Sequence, residues 1–322
     1  MKNFRTVVAP DKASFQINHA HKLVSIGSCF SENIGKKFQE YKFDININPF
    51  GQQYNPASIA TAINRLLEPV PYTEKDLVYH DELFHSFDHH GSFSRSTEKE
   101  TLEVINSNLE IASKALKEAD VLFLTFGTAH AFSLLSNQKT VSNCHKLSGN
   151  QFERFMLSPG DISRVMTESI SNLRKINPEV RILATISPVR YFAFGHYENS
   201  VSKAHLFTAL HGLIEDFKLD YFPAYELVMD DLRDYRFFAE DMLHPNYQAT
   251  NYVWDSFAKT YFDKKTTETN KDIEEITAAA RHRPRNAKSE AHKKFVAKYL
   301  SKIEELKGSG LDFGEEEKVL RR

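Results

Sequence analysis

Between Leu23 and Phe262 short, continuous apolar runs alternate with longer amphipathic ones, and this alternation restricts the fold more than any other feature of the chain. "KLVSIG" (22–27), "DVLFLTFG" (120–127) and "RILATISPV" (181–189) have the length of strands and are apolar almost throughout. A strand that is apolar on both sides is buried on both sides, as in a parallel sheet covered by helices above and below. "LDYFPAYE" (219–226) reads as a last, short strand. The intervening stretches are helical. "SENIGKKFQEY" opens on Ser31 or Glu32, and "NPASIATAINRLLEP" is started by Pro56 and stopped by Pro69. Residues 96–119 have Ser96 or Thr97 as cap, and "SPGDISRVMTESISNLRKINPEV" is a helix with Pro178 beyond its end. In "VSKAHLFTALHGLIEDF" (201–217), Leu206, Leu210, Leu213, Ile214 and Phe217 share one face, and a last helix follows Pro245. Helical crossovers between such strands predict an α/β protein, a three-layer α/β/α sandwich with a central parallel sheet, over residues 1–262.

Residues 263–322 differ: they are charged, poor in aromatics and broken near Arg283-Pro284. They predict a helical C-terminal extension that packs outside the main domain or mediates oligomer contacts; the mixed charge reads as a solvated face. The net charge of −2 on 322 residues gives no global reason to expect nucleic acid or an anionic membrane as partner. The first residues have no apolar signal-like core, and no run reaches membrane-spanning length. Two cysteines, Cys29 and Cys144, are too few for a disulfide framework and form no CxxC pair. A reduced, cytoplasmic protein without a cofactor is the expectation. The densest histidine group, His85, His89 and His90 with Asp88, lacks the spacing of a compact metal set and reads as a loop over the mouth of a site.

In a parallel sheet, ligands bind outside the carboxyl ends of the strands. Those ends here are Gly27-Ser28-Cys29, Gly127-Thr128-Ala129 and Ser187-Pro188-Val189-Arg190. A nucleophile on the first of these, at a helix N-terminus, has the dipole to lower a thiol's pKa and free N–H groups to hold an oxyanion. A buried small residue or a helix cap explains "GSC" as well. The second candidate is "AEDMLHPNY" (239–247), where Asp241 and His244 stand three apart on one turn, a base with its orienting carboxylate. Pro245 restricts His244 to extended geometry and starts the next helix. A surface histidine at a capped helix start is the bland alternative.

"GSCF" (27–30), "NPFGQQYNP" (48–56), "TFGTAHAF" (125–132), "NCHK" (143–146), "ISPVR" (186–190), "ENSVSKAHL" (198–206), "YFPAYE" (221–226) and "RDYRFFAEDMLHPN" (233–246) together resemble the GSCFA family, which is grouped with the SGNH, or GDSL-like, hydrolases. The resemblance implies an acyl-transfer site. Laid without a gap on "IGSCFSENIG", the superfamily's Gly-Asp-Ser puts its aspartate on Ser28 and its serine on Cys29; a shift of one residue makes Ser28 the nucleophile. Gly51 takes the place of the second-block oxyanion glycine, and Asp241 and His244 complete the triad. The third block, Gly-x-Asn, departs: Ala129 stands where the oxyanion amide belongs, a loss of about 3 kcal/mol in such enzymes. Thr128, Asn143 or His145 are candidate replacements. Arg190, Asn199 and Lys203 suggest a grip on a substrate carboxylate or phosphate, unless Ser200 or Ser202 caps the helix and Lys203 is solvated. Tyr54 and Asn55 line the same pocket or shape a turn. Cys144 is a buried small hydrophobe or a redox partner of Cys29.

The implied activity is hydrolysis or transfer of an acyl group on a carbohydrate, lipid or small hydroxylated acceptor, with a small-molecule or glycan acyl substrate. Two other readings compete: an inactive SGNH-like module binding glycan or peptide, and a redox sensor using both cysteines.

Overall fold

The computed structural model describes residues 5–308 and 310–321. In chain order its strands are β1 (Lys22–Gly27), β2 (Asp44–Ile47), β3 (Leu77–His80), β4 (Leu83–Ser86), β5 (Val121–Phe126), β6 (His130–Leu134), β7 (Thr140–Val141), β8 (Phe152–Met156), β9 (Arg181–Ile186) and β10 (Asp220–Tyr221). The helices are α1 (Cys29–Glu40), α2 (Pro56–Leu67), α3 (Glu98–Lys117), α4 (Pro159–Ile176), α5 (His196–Phe217), α6 (Ala224–Glu226, running into a π-helical stretch), α7 (Tyr247–Tyr261), α8 (Lys264–Arg281), α9 (Glu290–Lys307) and α10 (Gly314–Leu320).

The central sheet is parallel, in the order β10-β9-β5-β1-β2. Its middle strands show why the apolar runs have no alternation. Val24 and Ile26, Leu122, Leu124 and Phe126, and Ile182, Ala184 and Ile186 enter the core shared with α2, α3, α4 and α5. Their neighbours Leu23, Val121, Phe123 and Leu183 enter the opposite core, built with α1 and α7 around Phe38, Trp254 and Phe257. Successive side chains leave a strand on opposite faces, so two covered faces favour apolar residues without alternation, with only the small polar Ser25, Thr125 and Thr185 among the buried positions. The α/β fold with helices on both faces is therefore as expected.

Local chemistry sets the helix starts. Thr97, Ser158, Asn246, Asp263 and Ser289 each accept a first-turn N–H on a side-chain oxygen. The strand read over 219–226 is only Asp220–Tyr221, with Ala224–Glu226 helical, and three helix starts also differ from the sequence reading. Helix α1 begins at Cys29, because Ser28 is extended and takes the cap position. Helix α5 begins at His196, so Ser200 and Ser202 lie inside it and cap nothing. Helix α7 is capped by Asn246, and Pro245 instead bridges to Phe238. Strand β2, the hairpin β3–β4 and the antiparallel sheet β7-β6-β8 had no clear signal, since none is apolar on both sides.

The register aligns the strand ends: Gly27 lies opposite Thr125, and Thr125 opposite Thr185. Helices α8 to α10 have a core of their own, including Ile273, Ile276, Ile303 and Phe313. They join the main domain where Tyr41 donates to Glu274 and where Lys42 pairs with Glu316 at 2.7 Å. Both contacts are at the C-terminal end of the twelve-residue helix α1, roughly 18 Å along its axis from Cys29. Among the described residues, no helix is long and apolar enough to cross a membrane.

Candidate active site

The first half of the site follows from close approach of two strands. A Cβ on Gly27 would lie 2.5 Å from the Thr125 carbonyl oxygen, so only glycine fits. The Gly27 N–H donates to buried Asn48 Oδ1 at 2.9 Å, and the Ser28 N–H to Thr125 O at 3.3 Å. Immediately beyond, the chain turns into α1. Ser28 is 1% exposed, against Gly127, and its Oγ has no hydrogen-bond partner among the described residues. Cys29 is half-buried and, with Ser28, lines a cleft of about 970 Å³ at the carboxyl edge of the sheet.

The thiol does not behave as a dipole argument alone suggests. Burial pushes the Cys29 thiol up, and nearby Glu32 adds to this. The N–H groups of Phe30 and Cys29 itself, and Lys203, pull it down without reversing the sign. At neutral pH Cys29 is therefore a thiol.

The Asp–His pair stands on the same cleft. His244 lines it, and its Nδ1 lies 2.5 Å from Asp241 Oδ2. Asp241 Oδ1 accepts the N–H groups of Leu243 (2.9 Å) and His244 (3.0 Å), a turn closed by Met242 in the left-handed region. These donors hold the Asp241 carboxyl down at about 2. A carboxylate on Nδ1 fixes the proton there and leaves Nε2 with its lone pair.

The remaining expected residues divide. Tyr54, Asn55, Thr128, Asn143 and Arg190 line the cleft, as does Cys144. Asn55 Oδ1 caps α2 through Ser58 N at 2.9 Å, which leaves its Nδ2 to donate. Thr128 Oγ1 accepts from His130 N at 3.1 Å and lies 3.0 Å from Ser202 Oγ. Burial raises Tyr54 to about 12, so it is a phenol donor. The other residues are turned to different work. The Gly51 N–H is spent on Asn48 O at 2.6 Å, and its φ of +73° and the His90 side chain explain the glycine. His145 stacks on His85 and binds Ser86 O at 2.8 Å through Nε2. Asn199 Oδ1 holds Tyr191 N at 2.9 Å.

Lys203 is neither solvated nor in the cleft. Its Nζ, 4% exposed as a residue, donates to Gly127 O (2.7 Å) and Ser187 O (2.6 Å), tying the ends of β5 and β9 beneath the site. The histidine group is likewise not a loop at the mouth: His85 and His89 are buried and hydrogen-bonded to Ser94 and Ser86, and Asp88 pairs with Lys139 at 2.9 Å. Among the lining residues that went unread in the sequence are Gln52, His130, Arg154, Tyr191 and Phe194. His130 carried a signal, being three residues past the strand-end Gly127; Arg154 carried none, because only the β6–β8 pairing brings it there.

A doubly covered parallel sheet with an open cleft at its carboxyl edge, a thiol at a helix start and an Asp–His pair across one turn defines an α/β protein with a candidate site at the strand ends. The chain belongs to the GSCFA family, whose model matches residues 22–257; a second model, the GSCFA domain protein C-terminal domain, matches residues 273–322. A comparison with curated proteins finds no match in sequence. Among solved structures, the chain is similar to a protein from Bacteroides fragilis assigned as an acylhydrolase, at 10% identity and a TM-score of 0.38, covering 83% of this chain and 92% of that one. It is similar also to a carbohydrate esterase family 3 protein from Talaromyces cellulolyticus (10% identity, TM-score 0.35, 78% and 99% covered). A family 3 carbohydrate esterase from Clostridium thermocellum gives 12% identity, a TM-score of 0.35, and 79% and 98% coverage.

Proposed function

We propose that the protein hydrolyses or transfers an acyl group through Cys29, His244 and Asp241. The observation that carries this reading is that Cys29 and His244 line one cleft while Asp241 holds His244 Nδ1 at 2.5 Å. His244 Nε2 takes the Cys29 proton as the sulfur attacks the acyl carbonyl, forming a C–S bond and an oxyanion. The Cys29 N–H, at the open start of α1, and the free Nδ2 of Asn55 are the donors offered to that oxyanion in place of Gly51 and the third-block amide. Collapse breaks the bond to the leaving group, which takes the proton back from the His244 imidazolium. Water or an acceptor hydroxyl, deprotonated by the same nitrogen, then cleaves the thioester. Carbohydrate, lipid and small hydroxylated acceptors all suit such a step, and two free thiols on the cleft suit a reducing compartment.

Ser28 stays second to Cys29 because it is 1% exposed and its hydroxyl is enclosed, whereas Cys29 is only half-buried. One observation favours the alternative of a binding module without turnover: the Ala129 N–H, nearest in sequence to the missing amide, is spent on Ser202 Oγ at 2.7 Å.

Turnover of p-nitrophenyl acetate, with intact-mass detection of an acyl adduct, tests the reading on wild type, Cys29→Ala, Ser28→Ala and His244→Ala. An adduct lost in Cys29→Ala and slowed in His244→Ala is the expected result. Loss in Ser28→Ala alone moves the nucleophile by one residue. Absence of both turnover and adduct with any simple ester leaves the binding module as the better reading.

A further inference from the structure

The cleft is far larger than an acetyl group requires and has one sign of charge. Its volume of about 970 Å³ is at the upper end of the range for small-molecule sites. Among its lining residues there are two arginines, Arg154 and Arg190, and no aspartate or glutamate. Neither arginine pairs with a carboxylate among the described residues; each lies over an aromatic ring instead, Arg154 over Phe194 at 3.9 Å and Arg190 over Phe192 at 5.1 Å. Cation–π contact orients a guanidinium while leaving its N–H fork free for an anion.

A third group points the same way. His130 is 4% exposed, yet its Nε2 has no hydrogen-bond partner among the described residues. An unpaired buried polar atom is costly, and it is tolerated where a ligand completes it. His130 and Arg154 share a face of the antiparallel sheet. Arg154 pairs with Phe132, two residues along β6 from His130, and Phe194 lies against both, with its ring 4.9 Å from that of His130. Phe132, Val141, Phe152, Val189 and Tyr191 make the rest of this part apolar.

We infer that this end of the cleft is a subsite for an anionic group, a carboxylate or a phosphate, carried on the apolar part of the substrate and held by Arg154, Arg190 and His130. The inference deepens the acyl-transfer reading and rests on it for the role of the subsite, but binding itself needs no catalysis. It replaces Lys203, which is committed to two carbonyls, with Arg154 as the partner of Arg190.

The test is equilibrium binding by calorimetry to the full chain carrying Cys29→Ala, with octanoate, octyl phosphate and octanol as probes of equal chain length. Both anions bind at least about tenfold more tightly than octanol, and Arg154→Gln and Arg190→Gln each lose about tenfold for the anions alone. The tighter of the two anions identifies carboxylate or phosphate as the natural group. Arg154→Lys retains part of the preference, which separates charge from folding. Equal affinity for octanol, or anion binding unchanged by both glutamine variants, overturns the subsite. Ester turnover without anion preference removes this inference only; anion preference without an acyl adduct removes the acyl-transfer reading only.

Discussion

Cys29 stands on a junction enclosed by the core, with the Ser28, Thr125 and Lys203 side chains buried around it and Gly27 packed against a neighbouring strand. Asp241 and His244 stand on an irregular segment in which their side chains are 46% and 43% exposed, held by three hydrogen bonds within four residues. The proposed nucleophile is thus placed by tertiary packing and the proposed base by local chemistry. Changes on the first side are expected to act on fold and activity together, and changes on the second on activity alone. The two sides also differ electrostatically. Burial dominates Cys29 and Lys203, and backbone donors dominate Asp241.

The strongest way to sharpen this contrast is His244→Ala. The acylation rate should fall by about a thousandfold while the denaturation midpoint stays put, since the side chain is half in water. A large loss of stability would mean that the base side is built into the core after all. Next is Gly27→Val, whose side chain must displace the Thr125 backbone. Chemical denaturation should show a loss of about 3 kcal/mol. A neutral result would show that the junction is softer than its contacts.

A smaller effect comes from Lys203. Burial pushes its ammonium down to about 7, against about 10.4 in an unfolded chain. Between those values the unfolded state binds more protons, so stability rises with pH. From pH 7 to 9 wild type should gain on the order of 1 kcal/mol per pH unit relative to Lys203→Met. Parallel pH profiles for the two proteins would refute it.

The least dramatic measurement is alkylation of Cys29 by iodoacetamide, followed by peptide mass in a Cys144→Ser background. Its midpoint should lie above that of an ordinary cysteine, because burial favours the thiol. Lys203→Met should leave that midpoint nearly unmoved, since Lys203, pushed down to about 7 by burial, has already lost its proton there. A midpoint below the ordinary range would restore the helix dipole as the dominant influence.

The sequence exposed the fold where a local pattern carried it. The three middle strands were legible because both of their faces are covered, and α3, α4 and α7 because their caps and apolar stripes are local. Strand β2 was not, because "DINI" at the sheet edge mixes polar and apolar residues. In the site, Asp241 and His244 were legible for the same reason as the helices: three residues of separation suffice to bring them together. Gly51 and Lys203 were misjudged because the partner of a polar group is chosen in space. The Gly51 N–H found Asn48 O, and the Lys203 ammonium found two carbonyls on different strands.

By itself, then, the chain's periodicity and turn chemistry determined a covered parallel sheet, the edge at which a ligand must bind, and an Asp–His pair on one turn. Only the tertiary structure decided that Ser28 is the more buried of the two junction residues on the cleft, that burial outweighs the dipole at Cys29, and that Lys203 is held by two carbonyls while Arg154 joins Arg190 in the lining. Hydrophobic period and capping depend on neighbours a few residues away. Desolvation and the satisfaction of polar groups depend on distances that the chain acquires only when its distant segments pack.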